Sequence, residues 1–303
     1  MNLSENLISS NEPIDLIWRQ LKGIYFDRDI SNVQKYYKET ELELLELERF
    51  LFKSYFEIYQ NELIEKIENN ETDFLNQIKN NNTTILMMDA LSIRELGLLF
   101  NKLNNEYEDI KFDYSFSVLP SETEFFRESI NYKKLKKEVE FYHLKEYNSI
   151  NLSGSENFIW SRYPDILIED VRSGQSLKND LKEIYNKVEN IIFEVINKLD
   201  WERIIITSDH GYIRTESSYN IPIDKTDKKL LKKLFNGSRF VQKYDSNNEI
   251  AKKLKNKNLI AVTDDFYLPI SHYSWPVPGG YSTFSHGGLS LLEVIIPKII
   301  IEK

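Results

Sequence analysis

The stretch Trp201 to Tyr212, WERIIITSDHGY, decides the fold. Ile204, Ile205 and Ile206 are β-branched and uninterrupted, the pattern of a strand covered on both faces in a parallel sheet. Ser208, Asp209, His210 and Gly211 fall at its carboxyl end, where open α/β sheets gather ligands because the loops leaving the strand tips converge there. Adjacent Asp and His offer a hard oxygen and an imidazole nitrogen to one cation, and Gly211 lets the backbone turn away sharply. DHG is also an acceptable turn, so this stretch alone leaves both readings open.

The same grammar recurs upstream. Thr83 to Met88 is a second apolar strand that ends in Asp89, followed by Ala90, Leu91, Ser92 and helical spacing from Ile93 to Leu103. A carboxylate and a hydroxyl at a helix entry favour anion chemistry, although Ser92 also fits an N-cap and Asp89 a turn. Lys111 to Val118 reads as a strand, and Pro120 with Ser121 as a turn into a helix over Glu124 to Ile130. Tyr132 to Glu146 is charged and helical, with a lone, structural His143. Phe158 to Trp160 is a short strand before the acidic cluster Asp165, Glu169 and Asp170. Leu177 to Leu199 is an amphipathic helix leading into the opening strand. Asn220 to Glu249 reads as an insertion or cap with a helix over Asp224 to Leu234, followed by strands at Leu259 to Val262 and Phe266 to Leu268. Near the end, SHGG at 285–288 opens a helical turn and Val294 to Ile301 closes a strand. Helix alternating with strand predicts an α/β fold: a mainly parallel sheet with helices on both faces.

Residues 1–80 read differently. From Pro13 to Lys79 the spacing is helical, clearest where Leu42, Leu45, Leu51, Tyr55, Tyr59 and Leu63 recur among Glu and Lys. This predicts an N-terminal helical region ahead of an α/β domain at 81–303. Its aromatic stripe is a packing face, with docking on a protein partner left open.

The bulk numbers narrow the function. The net charge is −9, and most of it lies in the first 80 residues, with 16 acidic side chains against 9 basic. That argues against duplex DNA, which needs a basic stripe. A small or single-stranded phosphate substrate held by a metal is not excluded. Cys is absent, so thiolate sites and Cys nucleophiles are ruled out. With no signal-like start and no apolar run of membrane length, the expectation is a soluble cytoplasmic protein.

Three strand tips thus present Asp89 with Ser92, Asp209 with His210, and His286. They make a natural shell for a divalent metal, Zn first because of the histidines and Mn second. The segments TILMMDALSIRE, SVLPSETEFF, IIITSDHGY and STFSHGGLSLLEVIIPKI, spread over roughly residues 83 to 303, resemble those of the PglZ domain, a branch of the alkaline phosphatase superfamily. The resemblance implies an alkaline phosphatase-like, two-metal phosphoester hydrolase. It implies that Asp89, Asp209 and His210 hold one metal with Ser92 as nucleophile, and that His286 serves the second. The superfamily's Asp with a His four residues later is incomplete here: Asp165 is followed at that spacing by Glu169 and Asp170 by Gly174. Either aspartate fits, Asp165 preferred for the Pro164–Asp165 pair. Arg94 is either a phosphate ligand or a surface residue. Thr123 and Ser121 match a PSxT turn, near a substrate or purely structural. Nucleotides or short oligonucleotides are the implied substrates and phage defence or signalling the implied setting, with a non-catalytic scaffold acting through its helices as the alternative.

Overall fold

The computed structural model describes residues 3–303 except 27, 29, 71, 148, 173–180, 216–218, 220, 246, 247 and 276–283. Its centre is a six-stranded sheet. Five strands come in chain order as β1 (Thr83–Met88), β2 (Asp109–Phe116), β3 (Phe141–Leu144), β4 (Phe158–Ser161) and β5 (Arg203–Ser208), and the sixth is the C-terminal strand Ile295–Glu302. Across the sheet the order is β2, C-terminal strand, β5, β1, β4, β3. β5, β1, β4 and β3 are mutually parallel. The C-terminal strand is antiparallel to both neighbours, β2 and β5. The sheet is therefore mainly parallel, as the alternation of helix and strand predicts.

Strand periodicity explains the two covered faces. Ile85, Met87 and Ile205 turn to one side, under Phe74, Ile78, Phe126 and Leu135 from short helices. Leu86, Met88, Ile204 and Ile206 turn to the other, into the larger core. That core also takes in Ile17, Leu21, Leu44, Leu51, Tyr59 and Leu63, so the helices before residue 80 and the sheet share it. The stripe predicted as a packing face is buried there, apart from the half-buried Tyr55 and the exposed Leu42.

Two local expectations change. Tyr132 to Glu146 is not one helix: the helix ends at Glu138 and the chain continues into β3, with His143 on this edge strand. Val139, Phe141 and Tyr142 favour a pleated surface over a helix. The strands near 260 and 268 lie outside the main sheet. Phe266–Pro269 pairs antiparallel with both Ile260–Val262 and Val241–Gln242, forming a small lobe with the helices Lys225–Phe235 and Glu249–Lys255. Among the described residues, no helix is long and apolar enough to cross a membrane.

The helix Val33–Ser54 is fastened to the rest by buried charge. Glu41 accepts from Nε and Nη2 of Arg94, each at 2.8 Å. Glu48 lies 2.5 Å from His272 Nδ1 and accepts from Ser271 Oγ and the Leu291 amide. His272 Nε2 is 3.3 Å from Glu41. Two anions and two cations thus share a dry volume, where each charge depends on its partners. Burial alone would lower the pKa of His272, but Glu48 and Glu41 outweigh it and lift it to about 9. Both glutamates are held below their ordinary range by Arg94 and His272 despite burial.

The folded chain therefore gains stability from protonated His272, complete below its ordinary pKa of 6.5 and lost as pH rises through about 9. The two glutamates contribute above their ordinary 4.5 and lose that contribution as pH falls. In thermal melts, Tm is expected to decline from pH 6.5 to 9, and His272→Asn is expected to make that limb shallower. An unchanged limb would show that His272 is not charged in the fold.

Candidate metal and phosphoryl-transfer site

Register brings the first acids together. β1 and β5 pair with Met88 opposite Ser208, so Asp89 and Asp209 leave neighbouring strands at the same level. Parallel neighbours lie only about 4.8 Å apart. β4 adds a third tip: Ser161 pairs with Met88, and four residues later the Asp165 amide donates to the Asp89 carbonyl at 3.1 Å. The reversed C-terminal strand begins where its parallel neighbours end, which delivers residues 286–294 to the same mouth. β2 delivers the turn that carries Thr123. The Ser117 amide after it donates to the Val294 carbonyl, and Ser117 Oγ to the Asp209 carbonyl at 2.5 Å.

The centre of the site is Thr123, first residue of the helix Thr123–Ser129. Its Oγ1 lies 2.6 Å from Asp209 Oδ2, 3.1 Å from Asp89 Oδ1 and 3.2 Å from His210 Nε2. His210 Nδ1 is 3.0 Å from the Gly211 carbonyl, which only accepts, so Nδ1 carries the proton and Nε2 presents its lone pair. One hydroxyl proton thus faces three acceptors. Asp209 Oδ1 accepts from the Ala90 and His210 amides, and Asp89 Oδ2 from Trp160 Nε1 at 3.4 Å. Burial, then the Asp209 and Asp165 carboxylates, push the Asp89 carboxyl well above the usual range.

His286 stacks on His210 with ring centroids 4.3 Å apart and planes 16° apart. Burial disfavours its charge, but Glu122, whose Oε1 is 3.4 Å from Nδ1, outweighs this and lifts its pKa to about 9. The turn holding Thr123 also holds the SHGG loop: Ser121 Oγ donates to the Gly288 carbonyl and accepts from the Gly287 amide, each at 3.0 Å. Behind it, Glu293 accepts from Arg239 Nε and Nη2 and from the Gly288 amide. Gly211 is needed for a close approach, since a Cβ there would lie 2.0 Å from the Leu292 carbonyl oxygen. This differs from the expected sharp turn, because its φ is not positive.

Two residues expected at the chemistry lie elsewhere. Ser92 is the N-cap of the helix Ile93–Glu106, with its hydroxyl occupied by the Arg94 amide and Arg94 Nη1 and its own amide donating to Glu95. This capping box takes the hydroxyl away from the carboxylates. Arg94 is buried against Glu41 and donates from Nη1 to the Tyr212 carbonyl at 2.6 Å, so it is neither a surface residue nor open to a phosphate. Asp165 and His286 line a cavity of about 880 Å³ together with Thr123 and Glu169. Asp165 Oδ1 is buried without a hydrogen-bond partner. The Asp170 side chain lies outside the described residues. Trp160 and Glu122 were not singled out by sequence. Their only signals were a polar-edged aromatic at the end of a strand and the residue between Ser121 and Thr123.

A cation suits these residues. Asp89, Asp209 and His210 offer ligand atoms all within 4.8 Å of one another, the one such group among the described residues. Two carboxylates and an imidazole lone pair crowd one proton donor, and a divalent ion would satisfy the surplus acceptors. Added Zn or Mn is expected to raise the Tm of chelator-treated protein by mass action, with the rise lost in Asp209→Asn. Without metal, Asp89→Asn is expected to melt no lower than wild type, because it removes one of two repelling carboxylates. A wild-type Tm that neither ion moves would count against the site.

Residues 163–301 match the family model described as the BREX system PglZ alkaline phosphatase-like domain. No curated protein matches the chain. Among solved structures, phosphonoacetate hydrolase from Sinorhizobium meliloti 1021, in complex with phosphonoformate, is similar with a TM-score of 0.42 and 9% identity over 72% of this chain and 89% of that one. The same enzyme with phosphonoacetate gives 0.41 over the same shares. Murine ectonucleotide pyrophosphatase/phosphodiesterase 5, in an inactive form with AMP, gives 0.31 and 10% identity over 56% of this chain and 62% of that one. Over residues 163–301, just under half of its length, the chain is thus similar to a PglZ, alkaline phosphatase-like domain.

Proposed function

We propose that the protein is a metal-dependent phosphoester hydrolase, acting on the phosphodiesters of nucleotides or short oligonucleotides, with Thr123 as its nucleophile. The observation that carries this reading is the single Thr123 hydroxyl set against Asp89, Asp209 and His210. Those three residues would hold one cation, and Asp165 with His286 a second. Bound divalent cations, Zn or Mn, would neutralise phosphoryl oxygens and lower the pKa of the attacking hydroxyl.

The chain's own part follows from its hydrogen bonds. With Asp209 and Asp89 occupied as ligands, the Thr123 hydroxyl gives its proton to solvent as Oγ1 bonds to phosphorus, and the leaving oxygen departs and takes a proton from solvent. Water then cleaves the phosphothreonine and returns a proton to Oγ1. Trp160, donating to Asp89, and the Gly211 carbonyl, fixing the His210 tautomer, hold two of the three acceptors in place. Glu122 holds His286 at the mouth, where the phosphoryl group enters.

The family description names the BREX system, and a cytoplasmic role in phage defence is part of the proposal. A non-catalytic scaffold is the competing reading, favoured by Glu169 at the position where the superfamily resemblance asks for His.

Hydrolysis of bis-p-nitrophenyl phosphate with Zn or Mn separates the two. Thr123→Ala is expected to lose about 10³-fold or more in kcat, as removal of a nucleophile does, while Thr123→Ser stays measurable. Ser92→Ala is expected to keep kcat and to cost about 1 kcal/mol of stability as a lost cap. Turnover lost in Ser92→Ala but kept in Thr123→Ala would return the nucleophile to Ser92. No turnover with either metal would favour the scaffold.

A further inference from the structure

The cavity that opens from Thr123 has two unlike walls. On the side of the strand tips it is acidic, with Glu122, Asp165 and Glu169, and cations bound there would offset that charge. The far wall is made by the helix pair Thr123–Ser129 and Tyr132–Glu138, and beside Glu124 and Glu128 it presents the cations and ring Arg127, Tyr132, Lys133 and Lys136. Lys133 and Lys136 also line a second hollow of about 650 Å³, which runs on past Lys137 to Phe141. A track of cations therefore leads away from the nucleophile.

Lys134, on the helix of Lys133 and Lys136, is 3.9 Å from Glu138, which also accepts from Lys79. Among the described residues, Lys133, Lys136 and Lys137 have no carboxylate partner. Arg127 lies between two rings, its Cζ 4.4 Å from the Trp160 centroid and 5.1 Å from that of Tyr132, and its buried Nε has no hydrogen-bond partner. Lys136 Nζ sits 4.7 Å from the other ring contact, the Tyr132 centroid, and 5.8 Å from that of Phe141. Aromatic rings thus hold the cations in place without neutralising them.

We infer that Arg127, Lys133 and Lys136 form a subsite for further phosphates of the substrate, which makes the substrate a single-stranded oligonucleotide rather than a small phosphoester. The inference rests on the phosphodiesterase reading for the direction of the strand toward Thr123. Interleaved cations and rings are the means by which single strands are held without sequence preference, the backbone on the charges and the bases against ring faces or edges. A duplex would need a broad basic face, and the acidic residues beside Thr123 deny it one.

The test uses the full chain and the exposed pair Lys133→Glu with Lys136→Glu. Its control is Lys229→Glu with Lys233→Glu on the helix Lys225–Phe235, which lines neither hollow. The first readout is binding of fluorescein-labelled hexathymidylate in chelator, followed by anisotropy across salt concentrations. The second is hydrolysis of bis-p-nitrophenyl phosphate with Mn. The expected result is a loss of about tenfold or more in hexathymidylate affinity and a log-log salt slope shallower by about 1.4, the value for two lost phosphate contacts on a single strand. Hydrolysis of the small substrate should stay within about twofold, since it carries no second phosphate. Affinity unchanged by the pair, an equal loss in the control, or duplex bound as tightly as single strand would each overturn the subsite. Loss of binding in the pair with no hydrolysis by any protein would support the subsite while removing the hydrolase reading.

Discussion

Two carboxylates from adjacent parallel strands are held against one hydroxyl, and the rest of the molecule is arranged around that crowding. Asp89 and Asp209 cannot separate, because the β1–β5 register places Met88 opposite Ser208 and the next residue on each strand is the acid. Nor can they turn to water, because both are buried. Without a cation the pair is relieved by a proton, which is why burial and the neighbouring acids push Asp89 upward. The arrangement stores a demand for positive charge at a mouth where Thr123 is the available hydroxyl.

Holding such a site takes a rigid surround, and the surround is built from backbone contacts as much as side chains. Ser121 bridges the Gly287 amide and the Gly288 carbonyl, so the turn bearing Thr123 and the loop bearing His286 move together. Glu293, held by Arg239, fixes the same loop from behind. Gly287 has a φ of +104°, a conformation that residues with side chains rarely adopt, and lies against Glu122. The small lobe contributes Arg239, so the insertion after residue 220 supports the loop that carries His286.

Much of this was legible in sequence where the pattern is local. Apolar runs ending in Asp89 and in Asp209 with His210 read as strands and tips because burial on both faces demands uninterrupted hydrophobes. SHGG read as the opening of a helical turn before a strand, with His286 at a strand tip, and the structure stacks that His286 on His210. What could not be read is which hydroxyl faces the acids. Ser92 and Thr123 both open helices after a strand. Ser92 has Glu95 three residues on, which closes a capping box and occupies its hydroxyl. That S-x-x-E spacing was itself a visible sign of a structural role. Arg94 misleads for a different reason: its partner Glu41 lies 53 positions away, and no local pattern announces that pairing.

The same long-range pairing changes how the N-terminal helices relate to the sheet. Glu41 holds Arg94, and Arg94 donates to the Tyr212 carbonyl two residues after His210. Glu48 accepts from the Leu291 amide, in the turn that leads from the SHGG loop into the C-terminal strand. One helix thus touches both segments that carry imidazoles. Removing it would leave Arg94 and His272 buried without counter-charge, and breaking a buried pair in that way costs about 3–5 kcal/mol. That is a large fraction of the roughly 5–15 kcal/mol that holds an ordinary domain folded. The helices therefore act as the electrostatic floor of the site, and the geometry at Thr123 depends on charges that sequence position alone would assign to a separate region.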